Sequence, residues 1–398
     1  MVLGINKTRD FADMELSGYM RPDGSFGFRN HIAILCSVGC ANDVALRLGR
    51  LYPETVVLTH RQGCAQLGGD KEQAARTLAG LGKNPNIAGV LVVGMGCESI
   101  TAGYLADEIS KTKKMVEFLV VLDEGGLMAA LPKGARLLDH MVREASQMKR
   151  VPCGLERLTL GVKCGLTDTT SGIATNPAVG MVADRVVESG GRVIFGETPE
   201  IIGAEHILAK RAATQEVEKG VYRVVNECEE RIKASGMDIR GANPAPGNIT
   251  GGITTIEEKS LGAIKKGGGT TLQGVVAYGE IPEGKGLFFM DGPGRTPEAL
   301  TGLSGAGAQI IIFTTGGGSP AGSLVSPVIK VTGNPRTAQR LSDHIDIDVS
   351  AITRGESTLE DGYEVIFREL IKVASGKATK SEALGCGMMS IWNIGSHM

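Results

Sequence analysis

The chain has 398 residues, 42% hydrophobic and 22% charged, with a formal net charge of −2; it is long enough for two or three domains with buried cores and too neutral for a general attraction to nucleic acid or acidic lipid. No run of about 18 apolar residues occurs, so no membrane span is expected. The N-terminus, MVLGINKTRDFADMELS, has mixed charge and no secretory core, which points to a cytoplasmic protein.

Apolar runs and helical patterns alternate from the start. Residues 31–37 (HIAILCS) read as a buried strand, followed by an Ala/Leu helix at Asn42–Leu51. Residues 55–59, 88–93 and 116–122 read as further strands, and 107–114 and 135–149 as helices. Such alternation implies a parallel sheet covered on both faces. A three-layer α/β domain is expected over residues 1–152, ending in a linker at 149–157 (KRVPCGLER). A larger α/β unit, 153–398, then opens with a strand at 158–162, a helix at 177–188, a strand at 192–195 and helical pattern over 205–229. Residues 236–255 form a Pro/Gly/Asn-rich loop too long for an idle connection. Strands return at 274–278, 287–290, 308–313 and 328–331, and a helix covers 359–374.

Parallel sheets bind ligands beyond the carboxyl ends of their strands. Cys64, Cys97 and Cys164 fall at such places, each in a Gly-rich turn. Thiolates suit zinc, iron and iron–sulfur clusters, although free Cys is commonly a small buried hydrophobe. His60 shares a strand end with Cys64 and could be a ligand or a base. The runs at 267–269 (GGG) and 314–319 (TTGGGS) could cradle an anion with backbone N–H groups. Neither fits a nucleotide fingerprint, which disfavours a nicotinamide-dependent oxidoreductase. Glu197 and Glu200, then Glu205 and His206, follow the strand at 192–195. Acidic residues bunched there suit general base work or a hard metal, or cap the next helix.

The ordered segments resemble the altronate/galactarate dehydratase family over nearly the whole chain from Gly18. They include Gly18-Tyr19-Met20-Arg21-Pro22-Asp23-Gly24, Gly27-Phe28-Arg29-Asn30, His60…Gly63-Cys64, Gly94-Met95-Gly96-Cys97-Glu98, Lys163-Cys164-Gly165-Leu166-Thr167-Asp168, Asn176-Pro177-Ala178, Glu197-Thr198-Pro199-Glu200 and Thr314-Thr315-Gly316. The resemblance implies an iron-dependent lyase that removes the α-proton of a sugar acid such as altronate, or of a small 2-hydroxy acid, and expels a β-substituent to leave a 2-keto acid. A two-subunit member expels sulfite instead of water, and a non-catalytic iron–sulfur or acid-binding subunit is the remaining alternative. Iron, as Fe2+ or a [4Fe–4S] cluster with one open iron, is expected on Cys64, Cys97 and Cys164 with His60 and Glu98 nearby. Lys163, Asp168, Glu197 and His206 are the acid/base candidates; Arg21, Arg29, Ser171, Thr315 and Lys330 are expected to hold the anion. Only 17 residues precede Gly18, so the family's small N-terminal domain is expected on a separate small subunit, within a homo- or hetero-oligomer. Two departures stand out. Sugar-acid members read C-G-G-S-D and T-T-G-R-G-S where this chain has Leu166 and Gly317, which implies a pocket for a shorter or less hydroxylated substrate.

Overall fold

The computed structural model describes residues 16–395. Its strands, in chain order, are β1 (Leu16–Met20), β2 (Phe26–Gly27), β3 (His31–Cys36), β4 (Val56–Leu58), β5 (Ile87–Gly94), β6 (Met115–Val120), β7 (Val151–Cys153), β8 (Thr159–Gly165), β9 (Arg192–Gly196), β10 (Leu272–Val276), β11 (Gly286–Met290), β12 (Ile310–Thr315), β13 (Val328–Thr332) and β14 (Ile347–Asp348). They form a four-stranded parallel sheet ordered β4-β3-β5-β6 and a seven-stranded parallel sheet ordered β10-β11-β9-β8-β12-β13-β14. A small antiparallel sheet, β2-β1-β7, ties the start of the described chain to the junction between the two units.

The α/β expectation holds, and alternation along a strand explains the layering. Ile32, Ile34 and Cys36 of β3 pack with the helices Asn42–Leu51 and Leu127–Ser146. Ala33 and Leu35 face the other way, onto the helices Gly68–Lys83 and Ala102–Ser110. That second layer is shared. The same core includes Leu300 and Leu303 of the helix Thr296–Gly305, with Ile194 and Ile311 of the larger sheet. Gly80 permits the close approach, because a Cβ there would collide with the Gly305 carbonyl. The outer face of the larger sheet packs Leu160 and Val162 against the helices Asn176–Glu188, Gln215–Ala234 and Leu359–Ala374.

Buried asparagines bind the units together. Asn84 donates to the carbonyls of Ser304 and Ala308, and Asn86 to those of Gln309 and Val325. Several expected elements shift. The helix placed at 107–114 runs over Ala102–Ser110, capped by Thr101, and the one placed at 135–149 runs over Leu127–Ser146. The linker contains β7, and the loop at 236–255 contains two short helices, Ile239–Ala242 and Pro246–Thr250. No helix among the described residues is long and apolar enough to cross a membrane.

Candidate active site

Four adjacent strands, β9-β8-β12-β13, end together at one edge of the larger sheet. Glu197 leaves β9 with φ 77, in left-handed backbone that L residues rarely adopt. Its carboxylate accepts from Lys163 Nζ at 2.7 Å and from the Cys164 amide at 2.9 Å, while Lys266 Nζ stands 3.0 Å away. Lys163 Nζ also donates to the Cys164 carbonyl at 2.7 Å and lies 4.9 Å from the centre of the Phe313 ring. Burial alone would raise the Glu197 carboxyl, but Lys163, Lys266 and the Cys164 amide hold it below the ordinary carboxylate value. Burial would likewise lower Lys266, but the Glu197 charge holds it above its ordinary value. Lys163 and Lys266 are fully buried and Glu197 is 2% exposed. Two ammonium groups thus face one carboxylate, and Lys266 Nζ has no well-aligned hydrogen-bond acceptor. The excess is positive, in surroundings where charge is poorly screened.

Around this triad the loops supply further polar groups. Lys259 pairs with Glu200 at 3.0 Å and donates to the side chains of Asn243 and Asn248, at 2.8 and 3.1 Å. The other Glu200 oxygen, Oε2, is buried without a hydrogen-bond partner. Asp168 Oδ1 accepts from Thr170 Oγ1 and from Ser171 N and Oγ, and Oδ2 accepts from Asn334 Nδ2 at 2.8 Å. Cys164 is buried, its Sγ 3.1 Å from Thr167 Oγ1 and 3.8 Å from Asn176 Nδ2. Thr315 Oγ1 accepts from the Gly318 amide.

The two departures from the family pattern meet here. Leu166 is half exposed, has φ 49, and accepts at its carbonyl from the Gly317 amide at 3.0 Å. A Cβ on Gly317 would collide with the Leu166 side chain. The apolar residue and the missing one are therefore two halves of a single contact.

The structure brings Lys163, Glu197 and Cys164 into direct contact, and Asp168 with Ser171. Glu200 stands beside Glu197 in the acidic group expected to serve as base, hard-metal ligand or helix cap, whereas Lys259, Lys266, Asn248 and Asn334 escaped the sequence reading. The one signal for the two lysines was their place in residues 259–269 (KSLGAIKKGGG), where Lys259, Lys265 and Lys266 interrupt an otherwise small and apolar stretch. Other candidates sit elsewhere. His206 is exposed on the short helix Glu205–Ala209 and makes none of these contacts. The expected anion-holding role of Arg21 and Arg29 gives way to a structural one. Arg21, lowered to about 10 by burial, donates to the Pro85 and Arg29 carbonyls and to Asn30 Oδ1. Arg29 forks onto Glu382 at 2.7 and 2.9 Å and reaches the Phe28, Val373 and Lys377 carbonyls. Lys330, lowered by burial, donates to the Pro320 carbonyl.

The expected iron ligands do not form one set. Cys164 belongs to the larger sheet, whereas His60, Cys64, Cys97 and Glu98 lie at the carboxyl edge of the smaller one. His60 Nε2 donates to the Cys36 carbonyl at 2.7 Å and Nδ1 accepts from the Gln62 amide at 2.9 Å, so both ring nitrogens are engaged. Burial pushes this histidine down to about 4. Glu98 accepts from Ser37 Oγ and the Gly96 amide. Among the described residues no three His, Cys, Asp or Glu side chains converge as they would on one metal ion. The five residues therefore do not fit a mononuclear iron site.

A cavity of about 710 Å³ lies between the two units, lined by His60, Arg61 and Gln62 on one side and by Arg295, Glu298 and Trp392 on the other. The segment that carries Arg295 also reaches the triad's surroundings: the Thr198 amide donates to the Gly292 carbonyl, and a Cβ on Gly294 would press on Glu200.

Comparison with known proteins agrees with this organisation. The family model described as D-galactarate/altronate dehydratase, C-terminal, matches residues 155–397. The one described as D-galactarate dehydratase/altronate hydrolase, second domain, matches residues 18–146. The chain is 37% identical over 370 residues to (2R)-sulfolactate sulfo-lyase subunit beta of Chromohalobacter salexigens, covering 92% of this chain and 94% of the relative. It is 34% identical over 404 aligned positions to altronate dehydratase of Bacillus subtilis, covering 98% and 79%. Against galactarate dehydratase (L-threo-forming) of Escherichia coli it is 32% identical over 382 residues, covering 90% and 72%.

Proposed function

The chain belongs to the D-galactarate/altronate dehydratase family and is a lyase, and from that premise we propose that it removes the α-proton and a β-substituent from a short 2-hydroxy-acid anion. The observation that carries this reading is the buried Lys163–Glu197–Lys266 triad with its positive excess. Loss of an α-proton leaves a dianionic enediolate, and preorganised cations in a water-poor site stabilise such charge. Lys266, with ammonium donors to spare, is the group for the developing oxyanion. Glu200, whose Oε2 has no partner, is the candidate base, and Lys259 holds it in place. Asp168 and Ser171 order the turn that carries Leu166 and Thr167.

The leaving group is water in the first reading. A specific observation favours sulfite as the second: Leu166 packs over Gly317 and presents an apolar wall suited to a short substrate. The 94% coverage of a relative that is itself one subunit of an enzyme supports a separate partner subunit in either case. The test is elimination by the full chain, alone and with a small partner of roughly domain size, from α-deuterated sulfolactate and from four- to six-carbon sugar acids. A primary isotope effect, a 2-keto acid product and no nicotinamide requirement are expected. Product that retains the deuterium at its original carbon would overturn the scheme.

A further inference from the structure

Two residues on opposite sides of the cavity between the units each carry a buried oxygen without a hydrogen-bond partner, Oε1 of Gln62 and Oε2 of Glu298. Gln62 is 6% exposed and Glu298 4%. Buried acceptors are normally paired, so two spare ones around one space of about 710 Å³ point to a missing donor. We propose that this cavity is a binding site that reads hydroxyl groups: Gln62 and Glu298 each accept from one hydroxyl of a small carboxylate held by Arg61 and Arg295.

Both walls are built to hold these side chains in place. On the first, the Gln62 amide donates to His60 Nδ1 at 2.9 Å and the Gln62 carbonyl accepts from the Gly39 amide at 3.0 Å. The backbone is fixed, and the side-chain oxygen is what remains over. The second wall is the helix Thr296–Gly305 with the C-terminal segment laid across it. Glu298 Oε1 accepts from Ser390 Oγ at 3.2 Å and stands 3.3 Å from Arg295 Nη1. The Glu298 carbonyl accepts from the Tyr278 hydroxyl at 2.6 Å, and the Tyr278 ring meets Trp392 edge-on, with centroids 5.8 Å apart. One oxygen anchors the Glu298 carboxylate and the other is left over. A small rotation of the Gln62 amide or of this carboxylate turns the spare oxygen to a ligand.

Charge defines the rest of the ligand. The cavity is lined by two guanidinium groups, Arg61 and Arg295, and one carboxylate, Glu298, while the His60 ring has both nitrogens engaged. The balance is one positive charge, which matches a monoanion, and guanidinium is suited to fork onto a carboxylate. Both arginines are exposed and both acceptors buried, so the carboxylate is placed outward and the hydroxyls inward. An acid with one hydroxyl would leave one buried oxygen unpaired. Residues 291–295 are the partition towards the triad: Pro293 and Arg295 line the cavity, and a Cβ on Gly294 would stand 3.3 Å from Glu200 Oε1. The assignment rests on the elimination proposed above for the fate of the acid, and deepens it. Water leaving a polyhydroxylated acid fits these walls better than sulfite leaving an acid with a single hydroxyl, and Leu166 keeps that acid short.

Trp392 is the single tryptophan of the chain and lines the cavity, so its emission reports occupancy without turnover. The full chain titrated with threonate, a four-carbon acid with three hydroxyls, should show a saturable change in that emission and a matching heat of binding by calorimetry. Lactate, with one hydroxyl, and threitol, without a carboxylate, should each bind roughly tenfold more weakly or worse. Gln62→Met removes the spare acceptor at nearly constant volume. It should weaken threonate by about fivefold or more, leave lactate little changed, and leave the urea midpoint unchanged or higher, because an unpaired buried oxygen is gone. Arg295→Ala should weaken both acids and spare threitol. No saturable signal by either method, equal affinity for threonate and lactate, or a Gln62→Met variant that binds threonate like the parent would each overturn the assignment. Release of a 2-keto acid is scored separately on the same samples. Binding without release counts against the elimination and leaves the cavity standing; release with threonate binding untouched by Gln62→Met does the reverse.

Discussion

Glu197 lies between Lys163 and Lys266, all three out of contact with water. Replacing Glu197 by Gln leaves two ammonium groups buried with no counter-charge. The expected loss is about 3–5 kcal/mol in urea unfolding, against under ~0.5 kcal/mol for Glu227→Gln, which breaks the exposed pair with Arg223. A loss at Glu197 as small as that at Glu227 would mean the triad is not charged as described. His60 gives a pH prediction. Its ring is lowered from 6.5 to about 4 in the folded protein, so between these values the unfolded chain binds more protons. Stability is then complete above about 6.5 and falls as the pH drops toward 4, by at most ~1.4 kcal/mol per pH unit for this ring. His60→Gln should flatten the slope of the urea midpoint against pH by up to one proton. At this scale the sequence was informative where a motif kept its chemistry within a few residues, as with Lys163 and Cys164 or Asp168 and Ser171. It was silent on Lys266, which lies 69 residues after Glu197 and meets it only through the fold. It misread Arg21 and Arg29, because a guanidinium that clamps carbonyls looks, one-dimensionally, like one waiting for a carboxylate.

Among the loops, the contact between Leu166 and Gly317 behaves as a unit. Gly317→Ala should cost about 1–3 kcal/mol by overpacking against Leu166. Leu166→Ala in the same molecule should recover most of that, which a double-mutant cycle would detect as coupling. Leu166→Gly also relieves the left-handed backbone at φ 49. It should shift selectivity toward longer polyhydroxylated acids by on the order of tenfold; an unchanged preference would remove Leu166 from the substrate's surroundings. Strands were the easier elements to read, since β5 is apolar throughout, β12 is apolar over Ile310–Phe313, and both are buried on both faces. The helix Gly68–Lys83 escaped, because Gly68, Gly69, Gly80 and Gly82 dilute its apolar stripe. Those at positions 80 and 82 are small for packing reasons, facing Gly305 and Ile109, that only the partner elements reveal.

Across the molecule, the two units share a helical layer and are pinned by Asn84 and Asn86. Asn86→Ala strands the Phe28 amide and the Gln309 and Val325 carbonyls in the interior, at an expected cost of about 1–3 kcal/mol for each group that finds no water. Heat or urea should still unfold parent and variant in one transition, followed by far-ultraviolet dichroism and by Trp392 fluorescence; separated transitions would mean that the units melt independently. The pairing of β1 with β7 adds a further consequence. The strand that enters the first unit is stitched to the segment that leaves it, at the point where a two-lobed enzyme would ordinarily bend. With that point laced, the cavity between the two units is expected to keep its calibre. For the proposed acid substrate, selection there is then expected to resemble sieving more than grasping, by girth and charge on arrival, with the timing of entry set by diffusion and salt.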